Sequence, residues 1–301
     1  MKQLVVLLGP TGVGKTDLSI SLARKYNTSI VSADSRQFFK GLEIGTAAPN
    51  EEQLDQIKHH LVGMLDVSDY YSVSEFEETA LRIIEEEHKT HNMVIASGGS
   101  MLYLDALCNG IDQLPTIDES LRKDLYDLYN QEGLEPIRSR LKILDPVFYE
   151  EVDLKNYKRV IHALEVCLMS GKPYSSLRTK TKKKRPFEII KIGLTRDRKE
   201  LYDRINKRVD KMMEQGLLEE AVRFYPQRHL NSLNTVGYKE LFKYMDEEWP
   251  LDFAVEKIKQ NTRIYSRKQM TWFKRDQEIN WINLTHITEQ QALLQILEII
   301  Q

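Results

Sequence analysis

Gly9-Pro10-Thr11-Gly12-Val13-Gly14-Lys15-Thr16 is a complete G-x-x-x-x-G-K-[ST] loop, and its surroundings decide the fold. The apolar run Leu4 to Leu8 precedes it, and an amphipathic stretch with Leu18, Leu22 and Tyr26 follows. Strand, loop and helix in that order are the context in which this motif cradles phosphate. Gly12 and Gly14 let backbone N–H groups turn inward, and the helix N-terminus adds partial positive charge. Lys15 reaches for the terminal phosphate and the Thr16 hydroxyl for Mg²⁺. The eight residues from Gly9 to Thr16 therefore form the expected phosphate site, for a di- or triphosphate whose fate the loop alone does not decide.

The 301 residues are 41% hydrophobic and 29% charged, enough for one large domain or two smaller ones with a real core. A net charge of −2 gives no global attraction to nucleic acid, but the charge is unevenly placed. Six of the eight residues from Arg178 to Arg185 are basic, whereas the segment around 75–87 is rich in Glu. Cys108 and Cys167 stand far apart in no metal-ligand spacing, which fits a reducing cytosol rather than a disulfide framework. His88 and His91 lack companion ligands at metal spacing and read as a solvated helix end. With no signal peptide and no long apolar span, the expectation is a cytoplasmic protein without membrane contact.

Short apolar strands alternate with amphipathic helices through the first hundred residues. Strands are expected at 4–8, 30–33, 61–65 and 93–97, and helices at 15–26 and 74–91, with Ser74 as the N-cap. This alternation predicts an α/β fold, a doubly wound parallel sheet with helices on both faces. Between 112 and 185 only helical stretches appear, at 118–131, 134–143 and 156–170, the last closed by Gly171 and Pro173. Strand character returns at Phe187–Leu194. The expected organisation is a core of 1–115 plus 186–301, with a helical insertion domain at 116–185 bracketed by Pro115 and Pro186. Helices at 198–215 and 251–275 and a strand at 279–283 complete the core.

A hydrolysing motor usually ends a later strand with an acid that holds Mg²⁺ and water. Here Met93–Ala96 runs into Ser97-Gly98-Gly99-Ser100, with no acid. An acid does end the second strand, in Ile30-Val31-Ser32-Ala33-Asp34. Strand carboxyl ends face the ligand crevice of such a sheet, which places Asp34 near the phosphates. Its carboxylate is suited to take a proton from an attacking nucleophile. The competing reading is an Asx turn that bonds the following backbone.

At this point the residues match a family. The chain resembles the tRNA dimethylallyltransferases (tRNA isopentenyltransferases, the IPP transferase family) of bacterial type. The resemblance spans nearly the whole length. It is carried by Gly9–Thr16, Asp34-Ser35-Arg36-Gln37, Gly45-Thr46-Ala47, Ser97 through Leu104, Lys158 through Glu165, Val236 through Glu240 and Arg267 through Phe273. Phe39 stands where the family often has Tyr, and Ala48 where Lys is common. The zinc-binding extension of eukaryotic relatives is not in this sequence.

The resemblance implies transfer of a dimethylallyl group from dimethylallyl diphosphate to the N6 amine of adenosine at position 37 of tRNA, beside the anticodon. The loop then holds the leaving pyrophosphate with Mg²⁺ on Thr16, and Lys15 and Arg208 stabilise its growing charge. Asp34 accepts the N6 proton. Ser35 and Gln37 are the nearest candidates to read the base edge, and Arg36 belongs to the same tRNA-facing run. Ser100, Arg122 and Arg159 resemble residues that contact tRNA, Arg159 next to the flipped base. Arg204, four residues before Arg208, stays open between a diphosphate contact and a solvated helix face. The tract 178–185, and a second stripe of Arg263, Arg267 and Lys274, are candidates for phosphate contact. Trp272 and Phe273 read as core. No protein partner is implied. The main competing reading is a kinase of a nucleoside or small alcohol using the same loop and Asp34, and a third is a regulatory nucleotide-binding module, which has no need of Asp34.

Overall fold

The structure is a computed structural model that describes residues 1–112, 114–115, 117–179 and 181–300. Thr116, the expected first residue of the insertion, and Lys180 of the basic tract lie outside the described residues. The chain divides into two compact units, Met1–Cys108 with Lys184–Gln301, and Asn109–Lys183.

The first unit is built on six strands: β1 (Gln3–Leu8), β2 (Ile30–Ala33), β3 (His59–His60), β4 (Met93–Gly98), β5 (Glu188–Thr195) and β6 (Ile279–Asn283). They pair in the order β3-β2-β4-β1-β5-β6, and every pair is parallel. Parallel pairing puts the carboxyl ends of all strands on one edge, so the segments after β1, β2, β4 and β5 converge there. The third strand is shorter and earlier than the expected 61–65. Leu61 has a left-handed φ of 63°, which ends extended pairing. The following residues instead bond the segment after β2, Gly63 N–H to Gln37 O at 2.8 Å and Met64 N–H to Phe38 O at 2.7 Å.

Before the second unit come α1 (Lys15–Tyr26), α2 (Glu43–Thr46), α3 (Glu51–Gln56), α4 (Val73–Glu87) and α5 (Met101–Asn109). Helix α4 begins at Ser72, not at the expected Ser74. Ser72 Oγ accepts from Glu75 N–H, and Glu75 Oε2 accepts from Ser72 N–H, a reciprocal capping box. The equivalent acid for Ser74 is Glu77, whose carboxylate is taken by the buried Arg185 at 2.8 Å. The second unit holds α6 (Glu119–Glu132), α7 (Glu135–Leu144), α8 (Pro146–Glu151), α9 (Tyr157–Ser170) and α10 (Tyr174–Leu177), and no strand among the described residues. Its core gathers Leu125, Ile137, Leu141, Phe148, Val160 and Leu164.

The first unit resumes after β5 with α11 (Arg198–Glu214), α12 (Leu217–Phe224), α13 (Tyr238–Met245), α14 (Leu251–Phe273) and α15 (Glu289–Ile300). Alternation along β1 distributes these helices to two faces. Leu4, Val6 and Leu8 point into one apolar cluster with Phe76, Leu107, Tyr238 and Ile258, from α4, α5, α13 and α14. Val5 and Leu7 point into the other with Leu22, Ile205 and Ile296, from α1, α11 and α15. Strands buried on both sides read as continuous apolar runs, as β1 does. The doubly wound expectation is met.

Candidate active site

The edge where strands β1, β2 and β4 end gathers the Gly9–Thr16 loop, Asp34 and the Gly99-Ser100 turn. The loop closes onto α1 through Gly14, whose φ of 111° admits no side chain without strain. Lys15 Nζ donates to Gly9 O and Pro10 O, both at 3.0 Å. Burial, and then the charge of Arg208, lower its pKa to about 8, with Asp34 opposing. Helix α11 and the residues before it grip the outside of the loop. Arg196 Nε donates to Val13 O and Arg204 Nε to Gly12 O, each at 2.9 Å, and Arg208 Nη1 reaches Thr11 Oγ1 at 3.3 Å. Two of the loop's N–H groups are already engaged, Val13 N–H with Pro10 O at 3.4 Å and Thr11 N–H with Gln269 Oε1 at 2.9 Å. Arg204, open between two readings from sequence, holds the loop backbone. Arg208 is half-buried, and its pKa is lowered by burial, with Asp34 favouring its charge and Arg204 opposing it.

Asp34 follows β2 directly. Its Oδ1 accepts from Arg36 N–H at 3.0 Å, so the Asx turn weighed from sequence is present. The same carboxylate lies within electrostatic reach of Lys15, Arg208 and Tyr265. The two readings of Asp34 are compatible, since the turn uses one oxygen and aims the carboxylate. Ser100 flanks it. Its Oγ accepts from Ser35 N–H at 2.8 Å and donates to Ser35 Oγ at 3.2 Å, and its N–H donates to Ala33 O at 3.3 Å. Ser35, Ser100 and Asp34 thus form one hydrogen-bonded turn. Tyr265, on α14, was not singled out in the sequence; burial and the nearby Asp34 charge push its phenol up to about 12.

Gln37 and Arg36 are more committed than the sequence suggests. Gln37 Nε2 donates to Thr46 O and Ala47 O, and its Oε1 accepts from Ser32 Oγ at 3.2 Å. That leaves one lone pair on Oε1 for another donor. Arg36 Nη1 donates to Asn231 O and Ser232 O, at 2.9 and 3.1 Å, tying the turn to the segment before α13. A small cavity beside the loop is lined by Thr16, Ser19, Ser32, Gln37, His59 and Ser97. No group of three His, Cys, Asp or Glu suited to a metal occurs among the described residues. A single hydroxyl such as that of Thr16 fits Mg²⁺, which keeps waters and takes its other oxygens from substrate phosphates.

Arg122 and Arg159 lie in the second unit. Arg122 forms a two-pronged pair with the buried Glu165, Nε to Oε1 at 2.9 Å and Nη2 to Oε2 at 3.1 Å. Arg159 is exposed near the start of α9. The basic tract is not uniform. Arg178 lies over the Phe148 and Tyr174 rings, and Arg185 is buried, donating to Ala106 O, Leu107 O and Glu77. Lys182, Lys183 and Lys184 are exposed between them. In the second stripe Arg263 Nη1 donates to Asn206 Oδ1, while Arg267 and Lys274 are exposed. Trp272 donates to Asp105 at 2.8 Å and Phe273 is buried, the core roles expected for both.

Residues 37–276 match the family model described as IPP transferase. The chain is 60% identical over 297 residues to tRNA dimethylallyltransferase 2 of Parabacteroides distasonis, covering 96% of this chain and 99% of that protein. It is 58% identical to tRNA dimethylallyltransferase 1 of Bacteroides fragilis, over 99% and 98% of the two chains. Among solved structures, the full-length tRNA isopentenylpyrophosphate transferase of Bacillus halodurans superposes with a TM-score of 0.74 at 34% identity, over 100% of this chain and 96% of that one. A eukaryotic dimethylallyltransferase described as acting on tRNA superposes with a TM-score of 0.81 at 26% identity, over 100% and 80%.

Proposed function

The chain belongs to the IPP transferase family, and on that premise we propose that it transfers a dimethylallyl group from dimethylallyl diphosphate to N6 of adenosine 37 in tRNA, releasing pyrophosphate. The enzyme is a prenyltransferase that modifies tRNA. The observation that carries the reading is the pairing of two halves on one sheet edge: a loop built for the leaving diphosphate, and an Asp34 carboxylate within reach of its Lys15 and Arg208.

In the reaction the N6 lone pair forms a bond to the allylic carbon as the carbon–oxygen bond breaks, and that electron pair leaves on pyrophosphate. Asp34 takes the N6 proton and orients the amine. Lys15, Arg208 and the loop N–H groups not engaged within the protein stabilise the charge that grows on the leaving oxygen. The Thr16 hydroxyl would hold a Mg²⁺, which would supply further charge neutralisation. Ser35, Gln37 and Ser100 border the place where the flipped base meets Asp34, and Arg36 fixes the turn they share. The helical insertion contacts tRNA, with Arg159 beside the target base and Arg122 braced by Glu165. We place the enzyme in the cytoplasm; no described helix is long and apolar enough to cross a membrane.

The test is direct. Incubating the protein with Mg²⁺, dimethylallyl diphosphate and a tRNA bearing adenosine at position 37 should raise the tRNA mass by one dimethylallyl group, with no need for ATP. ATP consumed in step with product would instead favour a kinase.

A further inference from the structure

We propose that Gln269 is a positioning residue for this transfer, its one amide setting the spacing between the loop that holds the leaving diphosphate and the turn that holds the Asp34 base. The inference rests on the reaction proposed above.

Gln269 sits deep in α14 with its side chain buried, 2% exposed. Its Oε1 accepts from Thr11 N–H at 2.9 Å, and its Nε2 donates to Gly99 O at 2.8 Å. These two bonds fix the amide's orientation, because the flipped form would set N–H against N–H and oxygen against oxygen. Each bond ends on catalytic ground. Thr11 belongs to the loop, and its hydroxyl meets Arg208. Gly99 precedes Ser100, whose N–H and Oγ bond Ala33 and Ser35, the two neighbours of Asp34. A displacement at either end of the amide therefore moves one half of the reaction centre against the other.

The fit is tight from the turn side as well. A Cβ on Gly99 would lie 2.5 Å from Gln269 Nε2, so glycine there is what lets the amide approach. Only a neutral amide both accepts and donates at this spacing; glutamate accepts only, and methionine of similar volume does neither. The two reacting atoms arrive on different molecules held by different segments, and a misplacement of about 1 Å costs on the order of 10²-fold in rate.

The experiment measures kcat, the KM of each substrate, pyrophosphate binding and Tm for Gln269→Met, Gln269→Glu and Gly99→Ala. Gln269→Met should keep its fold, its pyrophosphate affinity and both KM values, yet lose about 10²-fold in kcat. Gln269→Glu keeps the bond to Thr11 and places an oxygen against Gly99 O, so it should lose kcat too; it decides the matter if the methionine variant does not fold. The losses of Gly99→Ala and Gln269→Met should not add in the double variant, since both act on one contact. Wild-type kcat in either Gln269 variant, a defect confined to the KM of the donor, or additive losses would overturn the proposal. Absence of transfer by the unmutated protein would overturn the reaction itself, and this inference with it.

Discussion

Asp34 shows how one side chain is both built in and left available. Its Oδ1 is held by Arg36 N–H, while the carboxylate lies within electrostatic reach of Lys15 and Arg208. Asp34→Ala should lower turnover by about 10²–10⁴-fold, the range for losing a general base, with tRNA binding affected far less. Near wild-type turnover in that variant would remove Asp34 from the mechanism. Lys15 carries a pH signature. In the proposed reaction the anionic donor binds the protonated amine, and burial with the Arg208 charge has brought its pKa down from 10.5 to about 8. Donor kcat/KM should therefore be at its full value below pH 8 and fall as pH rises through it, since this parameter reports the free enzyme. In Lys15→Met the step should vanish and kcat/KM should be low throughout; a profile of the unmutated enzyme that stays flat through pH 8 would contradict the assignment. Both residues are legible in the sequence because each sits within a local pattern, the loop motif and the end of a strand. Gln269 falls within the Arg267–Phe273 stretch that carries the family resemblance, yet its role is not legible there, because its partner Thr11 is 258 positions away.

At the scale of elements, α11 is a clamp on the phosphate loop as well as a packing helix. Leu201, Ile205 and Val209 are buried, and the arginines at 204 and 208 project toward the loop. The i, i+4 spacing is plain from sequence, but the loop oxygen each guanidinium finds, Gly12 O for Arg204 and Thr11 Oγ1 for Arg208, is not, and neither is Arg196 just before the helix. The two arginines should separate in kinetics. Arg204→Ala removes a backbone bond worth about 1 kcal/mol and should weaken donor binding several-fold. Arg208→Ala removes the charge proposed to face the leaving group and should cut kcat by about 10²–10³-fold. Equal effects on both parameters in both variants would show that the helix acts only as a brace. Where element boundaries departed from expectation, a competing contact was the cause. The third strand yields at Leu61 to pairing with the segment after β2, and the α4 cap shifts to Ser72 because Glu77 belongs to Arg185.

For the whole molecule, a net charge of −2 means that attraction to tRNA must come from patches. Replacing Lys182, Lys183 and Lys184 together with neutral residues should weaken every tRNA alike. The slope of log affinity against log salt should also become shallower, by up to about 1 for each phosphate left without its lysine. Arg159→Ala should instead slow turnover on bound tRNA. An unchanged salt slope in the triple variant would direct attention to Arg267 and Lys274 on α14. The expectation of a sheet core and a helical insertion at 116–185 rests on a strand pattern that stops and resumes; the compact units divide at Asn109–Lys183. The commitment of Arg185 to the core is not legible in the sequence, since its neighbours Arg178 to Lys184 read as one continuous basic run. That commitment has a consequence for chain connectivity. Arg185 pins the returning chain to Ala106 and Leu107, where the core chain departs, and Lys183 N–H bonds Asn109 O at 2.8 Å across the ends of the insertion. Entry and exit are thus already neighbours. If the insertion melted while the core stayed folded, the core would have to close a floppy loop from Asn109 to Lys183, an entropic penalty on the order of 4 kcal/mol. A folded insertion lifts that penalty, so its integrity supports the stability of the core whose sequence it interrupts.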